Sequence, residues 1–81
     1  MKYYVVTFTE DDGWQSYHET IGVKRTLEEA KELMQKKVED QIERNGIPLC
    51  DYDITEKESY IFYEVDGEWW FKVKYEEIEE V

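Results

Sequence analysis

Ser59-Tyr60-Ile61-Phe62-Tyr63-Glu64-Val65-Asp66-Gly67-Glu68-Trp69-Trp70-Phe71-Lys72-Val73-Lys74-Tyr75 reads as two strand-forming runs around a turn. Aromatic and β-branched residues fill both arms, and the Asp66-Gly67 pair supplies the positive φ angles of a tight hairpin. A two-residue loop predicts the register: Val65 opposite Glu68, Tyr63 opposite Trp70, Phe62 opposite Phe71 and Tyr60 opposite Val73. One face then collects Tyr60, Phe62, Trp69, Phe71, Val73 and Tyr75 as the floor for a helix. The other carries Ile61, Tyr63, Val65, Glu68 and Trp70 with two lysines, and sets Trp70 beside Tyr63 toward solvent.

The helix lies upstream. Thr26-Leu27-Glu28-Glu29 is a capping box, in which the Thr26 hydroxyl accepts from the Glu29 amide and the Glu29 carboxylate reaches back. Leu27, Ala30, Leu33, Met34, Val38 and Ile42 fall on one half of the helix surface. Asn45-Gly46-Ile47-Pro48 ends it, because Gly46 can take the left-handed cap conformation and Pro48 cannot continue a helix. Before the helix, Lys2 to Thr9 is apolar on both faces and predicts a central strand. After Asp11-Asp12-Gly13, a weaker strand from about Trp14 to Val23 puts Tyr17, Ile21 and Val23 on one face, interrupted by Glu19, and predicts an edge. Residues 49–58 read as a polar loop anchored by Leu49, Tyr52 and Ile54. The expectation is one α+β domain over 1–81, a ββαββ antiparallel sheet of about four strands with one helix on one face.

At 81 residues there is room for one core, and 41% hydrophobic with 16% aromatic residues is enough to fill it. Asp plus Glu number 21 against 10 Lys plus Arg, a formal charge of -11 that repels a phosphate backbone and argues against direct nucleic-acid binding. No apolar run approaches the roughly 18–20 residues of a membrane span, and Met1-Lys2-Tyr3-Tyr4 runs straight into strand sequence without signal-peptide layout. The expectation is a cytoplasmic protein. Its excess of acid is uneven: residues 24–46 balance, whereas residues 47–81 carry eleven acids against three lysines and end Glu76-Glu77-Ile78-Glu79-Glu80.

Catalytic and metal constellations are absent. Asp51-x-Asp53-x-Thr55 begins like a calcium loop, but Glu56 and Phe62 stand where the loop needs Gly and a closing Glu. Asp11-Asp12 beside Gly13 reads as turn chemistry. Cys50 and His18, the only thiol and imidazole, lack an activating context. No phosphate loop, zinc spacing or nucleophile elbow occurs, so the sequence implies no catalytic residue, metal or cofactor. An outward Trp70 with Tyr63, in contrast, is the composition of a protein-binding surface.

Tyr3-Tyr4-Val5-Val6, Ile21-Gly22-Val23 before Thr26-Leu27-Glu28-Glu29-Ala30, and the acidic ending Tyr75-Glu76-Glu77-Ile78 resemble, in layout, many small acidic proteins of phages and their bacterial hosts. In size and acidity the chain is also similar to anti-CRISPR and other anti-defence inhibitors, several of which imitate phosphate charge. That resemblance implies a non-enzymatic protein-binding module that occludes a basic, nucleic-acid-binding surface of a host defence protein such as a CRISPR effector. The residues expected to meet the partner are Tyr63, Glu68, Trp70, Glu76, Glu77, Glu79 and Glu80. The alternative is a homodimeric structural domain that buries the Tyr63 and Trp70 face against its own copy.

Overall fold

The computed structural model describes residues 1–80. Strands β1 (Lys2–Asp11) and β2 (Ser16–Lys24) precede helix α1 (Leu27–Asn45). A single 3-10 turn at Leu49–Asp51 follows, then β3 (Asp53–Glu56), β4 (Tyr60–Val65) and β5 (Trp69–Glu79). The five strands form one antiparallel sheet in the order β2-β1-β5-β4-β3. β1 is central, as its two apolar faces require, and β2 lies at an edge.

α1 starts and stops on the expected signals. The Glu29 amide donates to Thr26 Oγ1 at 3.2 Å, and Gly46 closes the helix at φ 67° with its amide donating to the Ile42 carbonyl. Its apolar stripe buries Ala30, Met34 and Val38 against Val6, Phe8, Phe71 and Val73. Five apolar side chains of the core, Val6, Ala30, Val38, Phe71 and Val73, are at most 1% exposed. Gln41 continues the stripe as a buried polar residue, donating to Glu10 Oε2 at 2.7 Å and to Asn45 Oδ1 at 3.1 Å, which supplies partners for its amide nitrogen.

Four expectations are corrected. The hairpin of β4 and β5 is displaced by one residue: Val65 pairs with Trp69, Tyr63 with Phe71, Ile61 with Val73, and Glu64 with Trp70. Asp66 (φ 53°) and Gly67 (φ 70°) do form the tight turn, closed by the Glu68 amide on the Val65 carbonyl at 3.1 Å, but Glu68 stays outside the ladder as an extra residue. A one-residue slip turns every side chain of a strand over. The face of β5 is as expected, whereas on β4 it is Ile61, Tyr63 and Val65 that face the helix side and Tyr60, Phe62 and Glu64 that face away. The cause is Glu64. A two-residue loop would set it opposite Trp69 on the core face with no cation to meet it, and the desolvation of an unpaired carboxylate outweighs the strain of a bulge.

The 49–58 segment is not only loop. Tyr52 is 6% exposed and packs edge-on to Tyr63 at 5.3 Å and to Phe71 at 6.1 Å, covering the part of the sheet that α1 does not reach. β3 then adds an edge strand, exposed at every residue and thus without the alternation that marks a strand in sequence. In β2, the register breaks between Val6 and Thr7 and leaves Ile21 as the extra residue, so Val23 turns away from the face it was expected to share and is 58% exposed. Next to the break, a Cβ on Gly22 would stand 2.6 Å from Leu33 Cδ2, so the helix approaches β2 where a side chain is missing. Last, β5 continues to Glu79 beside the start of β1, and the expected acidic tail is largely strand.

Candidate interaction site at the turn end of the sheet

Antiparallel pairing of β1 with β5 brings the β1–β2 loop and the β4–β5 turn to the same end of the molecule. The two touch: a Cβ on Gly13 would lie 3.3 Å from the Glu68 carbonyl oxygen. Asp11 and Asp12 shape the loop. Asp12 Oδ1 accepts from the amides of Trp14 (2.8 Å) and Gln15 (2.7 Å), while Asp11 accepts from the Gly13 amide (2.8 Å) and the Ser16 hydroxyl (3.0 Å). The backbone donors of Gln15 and Trp14 hold the Asp12 carboxyl below its usual range, so it is ionised at neutral pH. Trp14 stands at the apex of this loop and is 93% exposed.

Acid surrounds it. Asp11, Trp70, Glu64 and Asp53 lie side by side across β1, β5, β4 and β3, and Asp66 and Glu68 are exposed in the adjacent turn. Glu64 and Asp53 are direct cross-strand partners, an arrangement of like charges that costs stability. Among the described residues the ion pairs are Lys2–Glu77, Lys31–Glu58 and Lys37–Glu19, so no acid of the turn end is in one. Trp70 is half-buried on the open face of the sheet, 5.4 Å from the ring of Phe62 on the diagonal. All three tryptophans gather here, since Trp69 lies under the same turn on the core side and packs on Tyr52 at 6.1 Å.

The seven residues expected to form the partner surface do not come together. Tyr63 is 9% exposed, stacked on Phe71 at 4.9 Å, and burial pushes its phenol pKa up; it belongs to the core. Glu68 and Trp70 are at the turn end. Glu76, Glu77, Glu79 and Glu80 are at the opposite end of β5, roughly 20–34 Å from Trp70 by the strand rise. They also alternate: Glu77 accepts from the Tyr4 hydroxyl at 3.2 Å and pairs with Lys2, while Glu76 opposes Val5 on the open face. Trp14 and Phe62 were not singled out in sequence. Trp14 is legible as the residue after Asp-Asp-Gly at a loop apex, and Phe62 follows only from the true register.

Elsewhere the only thiol and imidazole lie apart. His18 Nδ1 is 2.9 Å from the Thr9 hydroxyl on one side of the sheet, and Cys50 is exposed in the 3-10 turn beyond the other edge, so the two form no nucleophile pair. No cluster of three or more metal-ligating side chains occurs among the described residues, and no helix is long and apolar enough to cross a membrane. No known protein family matches the chain, no curated protein is similar to it in sequence, and no solved structure matches its fold.

Proposed function

We propose that this chain is a non-enzymatic binding module that sets the acidic turn end of its sheet against a basic, nucleic-acid-binding surface of another protein, as an inhibitor of a host defence protein such as a CRISPR effector would. One observation carries the reading: Trp14 is 93% exposed at a loop apex bordered by carboxylates that are in none of the ion pairs of the described residues. Burying a large apolar side chain is worth about 1.5–3 kcal/mol, and this fold forgoes that at Trp14 while tolerating the repulsion of Glu64 and Asp53. A basic partner recovers both. Trp14 supplies the desolvated anchor, Asp12, Asp66 and Glu68 supply the charged rim, and Trp70 borders the set on the adjoining face. The acids of Glu76 to Glu80 contribute through the long-range field only.

The test is displacement of DNA from purified CRISPR effector complexes, followed by fluorescence anisotropy with increasing amounts of this protein. Inhibition that weakens about 30-fold in Trp14→Ala, corresponding to about 2 kcal/mol, is the expected result. DNA binding undisturbed by a large molar excess in every effector refutes the inhibitor reading.

A further inference from the structure

The face of the sheet opposite the helix carries its opposite charges in separate rows. Asp11, Trp70, Glu64 and Asp53 form one row; Thr7, Lys74 and Tyr60, each four positions away along its strand, form another, with Thr9, Lys72 and Phe62 midway between. The outer rows are roughly 13 Å apart by the strand rise. We propose that a second copy of this chain covers this face, related by a two-fold axis that crosses the strands at the Lys72 row, so that Lys74 of each copy lies over Trp70 of the other, between Asp11 and Glu64.

The pattern is self-complementary in the way a two-fold interface requires, because reversing the strand direction about the middle row sets Lys74 over Trp70 between two carboxylates, while Asp11 and Glu64 meet the uncharged Thr7 and Tyr60. A lysine over an indole and flanked by carboxylates combines a cation–π contact with ion pairing. Lys74 is available for it: Lys72 leans over the Tyr60 ring at 5.5 Å, whereas Lys74 is in none of the ion pairs of the described residues. At the axis the Phe62 rings of both copies meet, each beside its own Trp70, which lies two residues off the axis beneath the other copy's Lys74. Four strand spacings by six residues make a footprint about 19 by 20 Å, on the order of 400 Å² in projection before the relief of the aromatic and lysine side chains is added. Standard interfaces bury about 800 Å² of accessible surface per partner. The face holds Lys72 and Lys74 against Asp11, Asp53, Glu64 and Glu76, so it carries only two of the eleven excess negative charges. Trp14, Asp12, Asp66 and Glu68 lie beyond this seam and stay free on both copies, whereas Trp70 and Glu64 are covered by it; the dimer does not rest on the proposed function.

Sedimentation equilibrium of the full chain tests this. A mass near twice 9.9 kDa at about 500 μM, falling on dilution, is expected. Lys74→Glu should give the single-chain mass throughout with an unchanged circular dichroism spectrum and thermal midpoint, and Trp70→Ala should weaken association at least tenfold. Combining Lys74→Glu with Glu64→Lys should restore the dimer. A wild-type monomer at about 500 μM overturns the proposal outright. A dimer indifferent to Lys74→Glu, or one that the double exchange does not restore, overturns the two-fold placement.

Discussion

Tyr63→Ala and Phe62→Ala, made separately, decide which face of β4 lies against the core. Tyr63 keeps 9% of its exposure, stacks on Phe71 at 4.9 Å with 16° between planes, and meets Tyr52 edge-on at 5.3 Å. Truncating a buried aromatic to Ala costs about 3–5 kcal/mol. Phe62 is half-buried on the open face with Trp70 as its aromatic neighbour, so its truncation should cost about 1 kcal/mol. An 81-residue domain has of the order of 4–12 kcal/mol in total, and with a urea dependence near 1 kcal/mol per molar the midpoint should fall by roughly 3 M or more for Tyr63→Ala and about 1 M for Phe62→Ala. Should Tyr63→Ala not fold, Tyr63→Leu keeps most of the apolar volume and should still lose more than Phe62→Leu. Tyr63→Phe, which deletes only the hydroxyl, should stay near wild type. Equal losses at the two positions, or a larger loss at Phe62, would restore the two-residue register and refute the bulged turn.

The Tyr17 hydroxyl and the Lys37 ammonium hydrogen-bond to the Glu19 carboxylate and hold its pKa below the ordinary range. The unfolded chain therefore binds this proton at higher pH than the folded one. The associated stability is complete above the unfolded value and fades as pH falls through the folded one, so Glu19→Gln should flatten the acid limb of a urea-midpoint-against-pH curve; an unaltered limb would show that Glu19 contributes nothing. Gly22→Val places branched carbon where Leu33 Cδ2 already stands within 2.6 Å of a Cβ, and should cost about 1–3 kcal/mol in thermal or urea unfolding; an unchanged midpoint would mean the helix does not approach β2 there. Reversing Glu76, Glu77, Glu79 and Glu80 to Lys should slow association with a basic partner at low salt and leave the dissociation rate alone, and a faster dissociation measured by surface plasmon resonance would place these acids inside the interface.

Elements whose signal is local were legible in the sequence. The capping box, the Gly46 stop and the apolar stripe define α1 within a turn of the chain, and residues apolar on both faces marked β1 as central. What escaped depends on residues far apart. The Asp66-Gly67 turn is compatible with a two- or three-residue connection, and the choice is made by where Glu64 can be hydrated. β3 has no buried face and so no pattern, and Ile21 became a bulge because Gly22 admits the helix, which no window around Ile21 discloses. For the site, charge by sequence segment pointed to Glu76–Glu80, whereas the cluster with Trp14 draws on β1, β3, β4 and two turns and exists only once the strands are ordered.

That strand order also has a kinetic consequence. The β1–β5 pair at the centre of the sheet joins Asp11 to Trp70 and Lys2 to Glu79, and the Glu80 amide donates to the Met1 carbonyl at 2.8 Å. Closing the Asp11–Trp70 contact costs about 2 kcal/mol more in chain entropy than closing the β1–β2 hairpin, by the logarithmic dependence on loop length. On a ribosome, β1, β2 and α1 emerge first as a hairpin and helix whose apolar faces have no sheet to close on, and the core appears only when β5 has left the exit tunnel. Folding therefore belongs with the slower, non-local topologies, in the millisecond range or beyond. During that interval the high negative charge keeps nascent copies apart.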